Sequence, residues 1–303
     1  MTIIFIINSR VRGVKRLIQK ITHEFDGYHN TIALTHYAKH AVKIAQEAVL
    51  NEFEFIISVG GDGTLNECLN GMMSTSVPNN KLPILGMLQC GSANDFSKSL
   101  GLKNNLSELK EMIAHHTQPK IDIGKIKLDS EPDRIHYFIN IAGLGLGPEV
   151  VKLMDRKNQV LGSLFSYVKA ILQSFMNYEK KQVRCVGDNW EWSGGLLQLA
   201  IGNGKYFGDS ICVCPDAEID DGLFHVSLFG DLSIRDYLKN FIRLRKGEKI
   251  IHPDAHYHTS KEIRIDVTGG DACGIEGDGE YKGTAPATIT VIPKAIHFLC
   301  MKK

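Results

Sequence analysis

Residues 55–71 read FIISVGGDGTLNECLNG. The first five are almost all apolar, which is typical of a strand buried on both faces of a parallel sheet. Three glycines follow, whose backbone N–H groups can approach a ligand closely, and Thr64 then opens a helix whose N-terminus carries a partial positive charge. A strand, a glycine loop and a helix in this order predict a phosphate-binding turn in an α/β domain.

The acidic residues of this motif have different predicted roles. The loop is not a Walker A loop, because no lysine follows the glycines. Bare phosphate would repel Asp62, so this residue is predicted to hold magnesium or to bond a substrate hydroxyl. Glu67 lies three residues after Thr64, which is the spacing of a capping box, and its predicted role is structural.

The rest of the first third repeats the pattern of strand, loop and helix. Residues 3–7 and 83–88 are apolar runs, and the second leads into another glycine-bearing loop at Gly91. Apolar residues at helical spacing within 41–49 and 106–113 predict amphipathic helices. This alternation predicts a doubly wound α/β domain.

From about Ile121 the hydrophobic pattern changes. Residues 224–228, 263–267 and 288–291 alternate apolar and polar side chains, which predicts antiparallel strands with one exposed face. One helix is expected at around residues 160–177. Since a chain of 303 residues has room for about two domains of ~150 residues, the sequence predicts an α/β domain followed by a mainly β domain.

A second candidate loop, GSANDF, spans residues 91–96. Ser92 can donate its hydroxyl to a phosphate, and Asp95 can accept a hydrogen bond from a substrate hydroxyl. The carboxyl ends of neighbouring strands share one crevice in an open α/β sheet. This loop and Gly60–Gly63 are therefore predicted to line one site, with Asn94 and Asp95 as substrate-binding residues.

Three further segments have weaker signals. GLGLGP, residues 143–148, lacks the dinucleotide-binding spacing and is predicted to be a tight connection. GDGE, residues 277–280, contains an Asp-Gly pair that is common in hairpin turns. PDAEIDDG, residues 215–222, carries four acids that could ligate a hard cation or form a polar hairpin, and spacing alone leaves this open.

Composition narrows the class of protein. Lysine and arginine total 35 against 34 acidic residues, which argues against a dedicated nucleic-acid binder. The seven cysteines show no metal-ligand spacing and are predicted to be packing residues in a reducing cytoplasm. No signal peptide and no apolar run of the ~18 residues that span a bilayer is found. A cytoplasmic protein is expected, which would reach a membrane substrate as a peripheral protein on the inner face.

Seven motifs in order resemble the diacylglycerol kinase catalytic-domain family, which includes soluble bacterial lipid kinases, sphingosine kinases and ceramide kinase. The resemblance covers nearly the whole chain. The matching stretches are Asn8 with Gly13, Thr35 to Ala41, GGDGTLNE at 60–67, GSANDF at 91–96, IGNGKYFG at 201–208, PDAEIDDGLFHV at 215–226 and GDGE at 277–280.

The resemblance implies an ATP-dependent, magnesium-dependent lipid kinase of phospholipid metabolism. Such an enzyme transfers the γ-phosphoryl group to a hydroxyl of diacylglycerol or a related lipid. The resemblance also implies that residues 1–121 with 294–303 form the ATP-binding α/β domain. Residues 122–293 would form a β-sandwich that contributes the lipid site and the catalytic loop, with ATP between the two domains.

The same resemblance implies roles for individual residues. Glu280 is implied to be the proton acceptor facing the Gly60 loop, and Asp62 is a second catalytic candidate. Glu218, Asp221 and Leu223 fall where bacterial relatives bind a structural magnesium, partly through backbone oxygens. The residues implied to hold ATP are Asn8, Thr35, Gly60, Gly61, Asp62, Gly63, Thr64, Leu65, Asn66 and Ser92.

Two other functions are weighed against this one. An NAD kinase-like kinase of a soluble metabolite would share a GGDG loop after a strand, but its Thr-Gly-Ser-Thr-type loop is absent and GSANDF is present. A non-catalytic nucleotide-binding regulator would keep the glycine loop and lose the base, whereas Glu280 is retained. The sequence does not name the lipid, and it leaves the oligomeric state open, a homodimer included.

An unbroken apolar stripe marks the helix expected near residues 160–177. The stripe is predicted to pack on the strands of the second domain. Alternatively, its end at Phe175 and Met176 borders an acyl-chain groove or touches the bilayer.

Overall fold

The computed structural model of this chain describes residues 1–91, 93–115, 118–156 and 164–300, without the side chains of 155–156 and 164–167. The chain divides into two compact units. Unit 1 is Met1–Ile121 with the C-terminal segment from Lys294, and unit 2 is Asp122–Pro293.

Unit 1 is built on a four-stranded parallel sheet in the order β2-β1-β3-β4. The apolar run of β1 is buried, with Ile4 the most exposed of residues 3–7 at 6%. This burial explains why the run does not alternate with polar residues. The strands are β1 (Thr2–Ile7), β2 (His29–Leu34), β3 (Phe55–Gly60) and β4 (Ile84–Gln89).

The strand order contains one topological switch point. The chain passes from β1 to β2 on one side, and then returns to place β3 on the other side of β1. The crevice outside the carboxyl ends of β1 and β3 is where open α/β sheets bind ligands. The helices of unit 1 are α1 (Val14–Glu24), α2 (His40–Leu50), α3 (Asp62–Met73), α4 (Asp95–Leu100) and α5 (Leu106–Ala114), with a 3₁₀ turn at Asn79–Lys81.

The end of the chain returns to unit 1. The backbone N–H of Leu299 donates to Leu85 O at 2.8 Å, and the Leu299 side chain is fully buried in the core of this unit. Helices α2 and α3 pack closely at Gly71, where a Cβ would overlap the carbonyl oxygen of Val42.

Unit 2 consists mainly of two six-stranded sheets in the orders β14-β13-β10-β7-β16-β17 and β6-β5-β18-β15-β8-β9. A short two-stranded ribbon, β11 with β12, completes it. The strands are β5 (Lys120–Leu128), β6 (Ile135–Phe138), β7 (Ile141–Gly145), β8 (Lys181–Val186), β9 (Glu191–Leu196), β10 (Gln198–Gly202), β11 (Tyr206–Phe207), β12 (Ile211–Cys212), β13 (Phe224–Phe229), β14 (Ala255–Ser260), β15 (Glu262–Val267), β16 (Gly274–Gly277), β17 (Glu280–Thr284) and β18 (Ala287–His297).

The two sheets enclose one apolar core, in which Phe138 stacks on Phe224 at 5.5 Å between ring centroids. The predicted fold class, an α/β domain with a parallel sheet and an antiparallel β-sandwich, is therefore confirmed. The expectation of one exposed sheet face is wrong for the β13 sheet, because Ser227 on its outer side is 1% exposed and donates its hydroxyl to Val213 O at 2.7 Å.

Helices cover that outer face and form a second apolar cluster with it. They are α6 (Leu146–Arg156), α7 (Leu164–Asn177) and α8 (Ile234–Arg245). The sequence predicted α7 and missed the other two. Helix α8 was missed because half of its residues are charged or amide side chains, so its apolar stripe is narrow.

The stripe of α7 packs as predicted at Ile171 and Phe175 and not at its end. Ile171 is buried in the second cluster and Phe175 packs against it. Met176 is 82% exposed, so the packing interpretation is wrong for this residue. Leu161 lies outside the described residues.

All seven cysteines lie in the described part of the chain and carry free thiols. Six are buried and Cys90 is half-buried, as the packing prediction requires. Burial raises the pKa of Cys68 and Cys214 to about 12, which keeps both thiols protonated and unreactive. Among the helices described, none combines the length and apolarity that crossing a membrane would need.

Candidate active site

The carboxyl ends of β1, β2 and β3 are joined by hydrogen bonds at the switch point. Asn8 follows β1; its backbone N–H donates to Val59 O at 2.9 Å and its Nδ2 to Thr64 Oγ1 at 3.2 Å. Thr35 follows β2, and its Oγ1 accepts the backbone N–H of Ser9 at 3.3 Å. The side chains of Asn8, Thr35 and Thr64, all predicted to hold ATP, thus lie at one edge of the sheet.

The two glycine loops of unit 1 pack backbone against backbone. The carbonyl oxygen of Gly60 accepts the N–H groups of Cys90 at 2.7 Å and Gly91 at 3.1 Å. A Cβ on Gly91 would overlap the Cα of Gly61, and a Cβ on Gly60 would overlap the side chain of Thr64. Packing alone therefore requires glycine at positions 60 and 91.

Gly63 is different, because no described residue requires it to be glycine. It is the second residue of α3, its φ is not in the left-handed region, and a Cβ placed on it has no described atom within 4 Å outside its chain neighbours and the backbone of α3. Within the described ranges, the backbone N–H groups of Gly61 and Gly63 donate to no protein acceptor. Unpaired donors at a helix N-terminus attract anions. The space beside Gly63 therefore suits a phosphate group.

Leu65 and Asn66 have buried side chains, 0% and 1% exposed. Asn66 Oδ1 accepts from Asn70 Nδ2 at 3.1 Å, within α3. These side chains hold α3 in place, and the predicted contacts of both residues with ATP stay predictions.

Asp62 connects the first glycine loop to α4. Its Oδ2 accepts the backbone N–H of Asp95 at 3.0 Å and its Oδ1 that of Phe96 at 3.2 Å. This arrangement caps the N-terminus of α4. The Asp62 carboxylate therefore has a structural role between the two loops. Its predicted roles toward magnesium and substrate remain predictions.

The second loop is described in part, because Ser92 lies outside the described residues. Asn94 has φ 51° and donates its Nδ2 to Gly91 O at 2.8 Å. Its buried Oδ1 has no partner among the residues described. Asp95 is 3% exposed and pairs with Lys98 Nζ at 3.3 Å. The predicted contacts of Asn94 and Asp95 with substrate stay predictions.

The predicted capping box between Thr64 and Glu67 is wrong. Helix α3 begins at Asp62, two residues earlier than predicted, and its N-cap residue, Gly61, has no side chain that could cap it. Glu67 instead accepts the backbone N–H groups of Lys39 and Ala41, each at 3.1 Å, and so caps α2. The structural role of Glu67 was correct, but its partner is a neighbouring helix that local spacing cannot indicate.

In unit 2 the GDGE motif forms the hairpin turn between β16 and β17. Asp278 and Gly279 have φ of 51° and 79°, the signs of a type I′ turn. The Asp278 carboxylate is 8% exposed and accepts the backbone N–H groups of Ile139, Asn140 and Ile141 at 2.8, 2.9 and 3.1 Å. This turn is therefore anchored to the chain between β6 and β7.

Glu276 supports the same turn from within the protein and was not found by sequence reasoning. It is 1% exposed, and its Oε2 accepts the N–H of Gly279 at 2.8 Å. Gly143 on β7 faces it, where a Cβ would overlap Oε1. Burial, with a smaller contribution from Asp278, raises the pKa of Glu276 to about 8.

The raised pKa of Glu276 predicts a pH-dependent stability. Between the unfolded value near 4.5 and the folded value near 8, the folded state binds more protons, so the free energy of unfolding falls as pH rises. Glu276→Gln should remove this fall, because the amide cannot ionise. Urea unfolding from pH 4.5 to 8.5 measures it. Parallel pH profiles for the variant and wild type would contradict the expectation.

Glu280 is the first residue of β17 and is accessible. Its side chain is 32% exposed, and its Oε2 pairs with Lys282 Nζ at 3.0 Å. Lys282 is 7% exposed, which makes it a buried cation beside the predicted base. Within the residues described, Glu280 Oε1 makes no hydrogen bond. Sequence reasoning missed Lys282, although residues two apart on a strand share a face.

The acidic segment after β12, residues 215–222, was predicted to hold a structural magnesium. Asp221 Oδ1 accepts the N–H of Leu223 at 2.9 Å, and its Oδ2 lies 3.0 Å from His225 Nε2. Glu218 is exposed. No group of three His, Cys, Asp or Glu side chains in the described ranges is placed to hold a metal ion. A cation at Glu218, Asp221 and Leu223 would therefore depend on backbone oxygens.

Two buried amides lie next to the anchored turn. Asn203, in the IGNG motif, is fully buried and donates its Nδ2 to Asp122 O and Ile139 O at 2.9 and 2.7 Å. Asn140 donates its Nδ2 to Tyr206 O at 2.9 Å. Their Oδ1 atoms have no partner among the described residues. Since a buried acceptor normally has a donor, these atoms mark a polar site beside the Glu280 turn.

Comparison with known proteins confirms the family resemblance that the order of motifs indicated. The sequence model of the diacylglycerol kinase catalytic domain matches residues 2–126, and that of the YegS C-terminal NAD kinase beta sandwich-like domain matches residues 141–300. A diacylglycerol kinase of Bacillus subtilis (strain 168) is 27% identical over 293 residues, 95% of this chain and 92% of that protein. A protein of Yersinia pestis (strain Pestoides F) named "Probable lipid kinase YegS-like" is 27% identical, over 97% of this chain and 95% of that protein.

Solved structures share the fold. A crystal structure of a diacylglycerol kinase from Bacillus anthracis str. Sterne matches with a TM-score of 0.72 and 20% identity, covering 99% of this chain and 96% of that chain. Another from the same organism matches with a TM-score of 0.79 and 23% identity, covering 99% and 97%.

Proposed function

The chain belongs to the kinase family that joins a diacylglycerol kinase catalytic domain to a YegS-type C-terminal domain, and on this premise we propose that it phosphorylates a hydroxyl group of diacylglycerol or a related lipid with ATP. The relatives named for diacylglycerol or lipid kinases match over nearly their whole length, which favours a lipid acceptor.

One observation carries the proposal for ATP. A Cβ at position 63 would meet no described atom beyond its own helix backbone and chain neighbours, and the N–H groups of Gly61 and Gly63 at the start of α3 have no acceptor among the described residues. A triphosphate supplies the anionic oxygens that such donors bind. Asn8, Thr35 and Thr64 lie at the same sheet edge and could bond the rest of the nucleotide.

The proposed reaction is an in-line phosphoryl transfer. The lipid hydroxyl oxygen forms a bond to the γ-phosphorus, the bond from that phosphorus to the β,γ-bridging oxygen breaks, and ADP leaves. The hydroxyl proton passes to a carboxylate, for which Glu280 is proposed and Asp62 is the second candidate. Glu280 suits this role because its side chain is 32% exposed and Lys282 bonds only its Oε2 among the described residues.

Magnesium is proposed as the partner of ATP, because it neutralises phosphate charge in such reactions. Asp62 lies in the first glycine loop and carries carboxylate oxygens, which are the ligands that this ion prefers. Glu218, Asp221 and Leu223 are proposed to hold a separate structural ion, and the reaction does not pass through them.

The proposal is tested with the purified full chain, radiolabelled γ-phosphate ATP and a total lipid extract. We expect one lipid class to take the label, and its identification names the substrate. ATP binding without transfer to any lipid would favour the nucleotide-binding regulator. Transfer to NAD or another soluble metabolite instead would favour the NAD kinase-like alternative.

Gly63→Ala separates phosphate binding from folding. The methyl group meets no described atom beyond the backbone of α3 and the chain neighbours, and alanine favours a helix by roughly 0.5–1 kcal/mol over glycine, so stability should stay equal or rise. The same methyl would push a phosphate oxygen off the N–H donors. Losing a charge-assisted hydrogen bond of ~1.5–3 kcal/mol should raise KM for ATP about 10- to 100-fold.

Steady-state kinetics and thermal unfolding measure the two effects of Gly63→Ala. Gly71→Ala is the matched control, since its methyl would overlap Val42 O and lower stability without touching the loop. An unchanged KM for ATP in Gly63→Ala would place the phosphates elsewhere.

A further inference from the structure

Helix α8 in unit 2 exposes aliphatic side chains on its solvent side. Tyr237, Asn240 and Leu244 are buried and fix the inner side of the helix. Leu238 is 47% exposed and Ile242 is 65% exposed. They are four residues apart, so they are neighbours on one helix surface.

The charged side chains that border this aliphatic pair are all cationic. At 100° per residue, Arg235 and Lys239 lie on one flank of the pair and Arg245 on the other. All three are exposed, and within the described residues none forms an ion pair. We call Arg235, Leu238, Lys239, Ile242 and Arg245 the α8 face.

The acidic residues near α8 have their nearest partners outside the α8 face. Asp236 accepts from the backbone and hydroxyl of Ser233 in a capping box, and its carboxylate lies 3.8 Å from His252 Nε2. Glu248 pairs with Arg243 at 3.1 Å. Asp236 also attracts Lys239 electrostatically, so this one cation is partly compensated, whereas Arg235 and Arg245 form no ion pair with a carboxylate of the described residues.

This charge is local and does not reflect the composition of the chain. The whole chain has 35 basic and 34 acidic residues, whereas residues 234–251 contain six Lys or Arg and two acids. An aliphatic centre with a cationic border is the pattern of helices that lie in the plane of an anionic bilayer surface.

We propose that the α8 face docks this protein onto an anionic lipid surface. Leu238 and Ile242 enter the boundary between headgroups and acyl chains, and the three cations contact lipid phosphates. This goes beyond the proposed kinase function, because docking needs neither ATP nor phosphoryl transfer. A lipid kinase would gain access to its substrate in this way.

A second copy of the chain is a less suitable occupant of the α8 face. A symmetric dimer would bring the same patch onto itself, so that cations oppose cations. With no acid on the face to compensate them, the like charges repel.

Vesicle sedimentation with the full chain, without ATP, tests the proposal. One vesicle set is phosphatidylcholine alone, and the other contains phosphatidylcholine and phosphatidylglycerol at about 3:1. We expect binding to the anionic vesicles, weak binding to the neutral ones, and loss of binding at high salt because salt screens exposed charges.

Two double variants separate the contributions of charge and apolar area. Arg235→Gln with Lys239→Gln should weaken binding to anionic vesicles about 30-fold, since each cation near such a surface contributes a factor of about five. Leu238→Gln with Ile242→Gln should weaken it at least about tenfold through lost apolar burial. Leu50→Gln and Lys81→Gln replace exposed residues of unit 1 and should leave binding unchanged.

Kinase activity supplies a second readout. The α8 variants should act normally on lipid in detergent micelles and more slowly on lipid in anionic vesicles. If they bind anionic vesicles like wild type, the proposal is overturned whether or not the chain is a kinase. It is equally overturned if light scattering shows a wild-type dimer that the Leu238 and Ile242 changes dissociate while vesicle binding persists.

Discussion

Glu280→Gln should lower turnover at least about a hundredfold, because loss of a general base typically costs 10²–10⁴-fold in rate. In the wild type, Lys282 Nζ donates to the Glu280 carboxylate at 3.0 Å. The side-chain amide oxygen of the variant can accept the same hydrogen bond, so the buried cation keeps a partner. Glu280 belongs to unit 2, whereas Gly61 and Gly63, whose N–H groups are proposed to bind the phosphates of ATP, belong to unit 1. ATP affinity should therefore stay close to that of wild type.

Two measurements on Glu280→Gln are needed together. Turnover at saturating ATP and lipid reports the chemical step, and calorimetric titration with ATP reports nucleotide binding. Glu262→Gln is the control, because it removes an exposed carboxylate of unit 2 that bonds Thr290 on a neighbouring strand. A variant that turns over like wild type would remove Glu280 from the mechanism and leave Asp62 as the candidate base.

Asp278→Ala should destabilise unit 2 by about 4 kcal/mol and abolish activity. The substitution removes the acceptor of three buried backbone N–H groups, and each unsatisfied donor costs ~1–3 kcal/mol before water compensates part of it. It also places alanine at φ 51°, which Asp tolerates better. Because Glu280 follows this turn by two residues, its position should be lost with the anchor.

Denaturant unfolding of three variants separates the two causes. Asp278→Gly removes the acceptor without backbone strain and should lose nearly as much stability as the alanine variant. Asp278→Asn keeps one acceptor oxygen and should fall between that variant and wild type. A loss below about 1 kcal/mol in Asp278→Ala would mean that the three hydrogen bonds do not anchor the turn.

Much of the fold could be predicted because long apolar patterns report it directly. The unbroken run of residues 3–7 indicated a strand buried on both faces, and β1 lies inside the sheet with neighbours on each side. Helix α8 was missed since its inner face depends on three spaced residues, Tyr237, Asn240 and Leu244, one of which is polar. Ser227 was assigned to an exposed face because its hydrogen-bond acceptor, Val213 O, lies 14 residues earlier in the chain and gives no local signal.

The candidate site was predicted in outline and not in its hydrogen bonds. Glycine loops after β3 and β4 were predicted to share one sheet edge, and they pack against each other there. The partners of Asp62 and Glu67 were not predicted, because both carboxylates cap helices other than their own. Glu276 gave no signal, since its significance comes from complete burial beside a turn.

By itself, the sequence determined where strands and helices form, through the spacing of its apolar residues. It also determined where glycines permit close backbone approach, and its order of motifs marks the family. These properties are local, because they follow from side chains a few residues apart. Only the tertiary structure decided which polar groups are buried, which hydrogen bonds they make, and which face of α8 remains exposed. Burial and pairing depend on residues that are far apart in the chain and meet only when it folds.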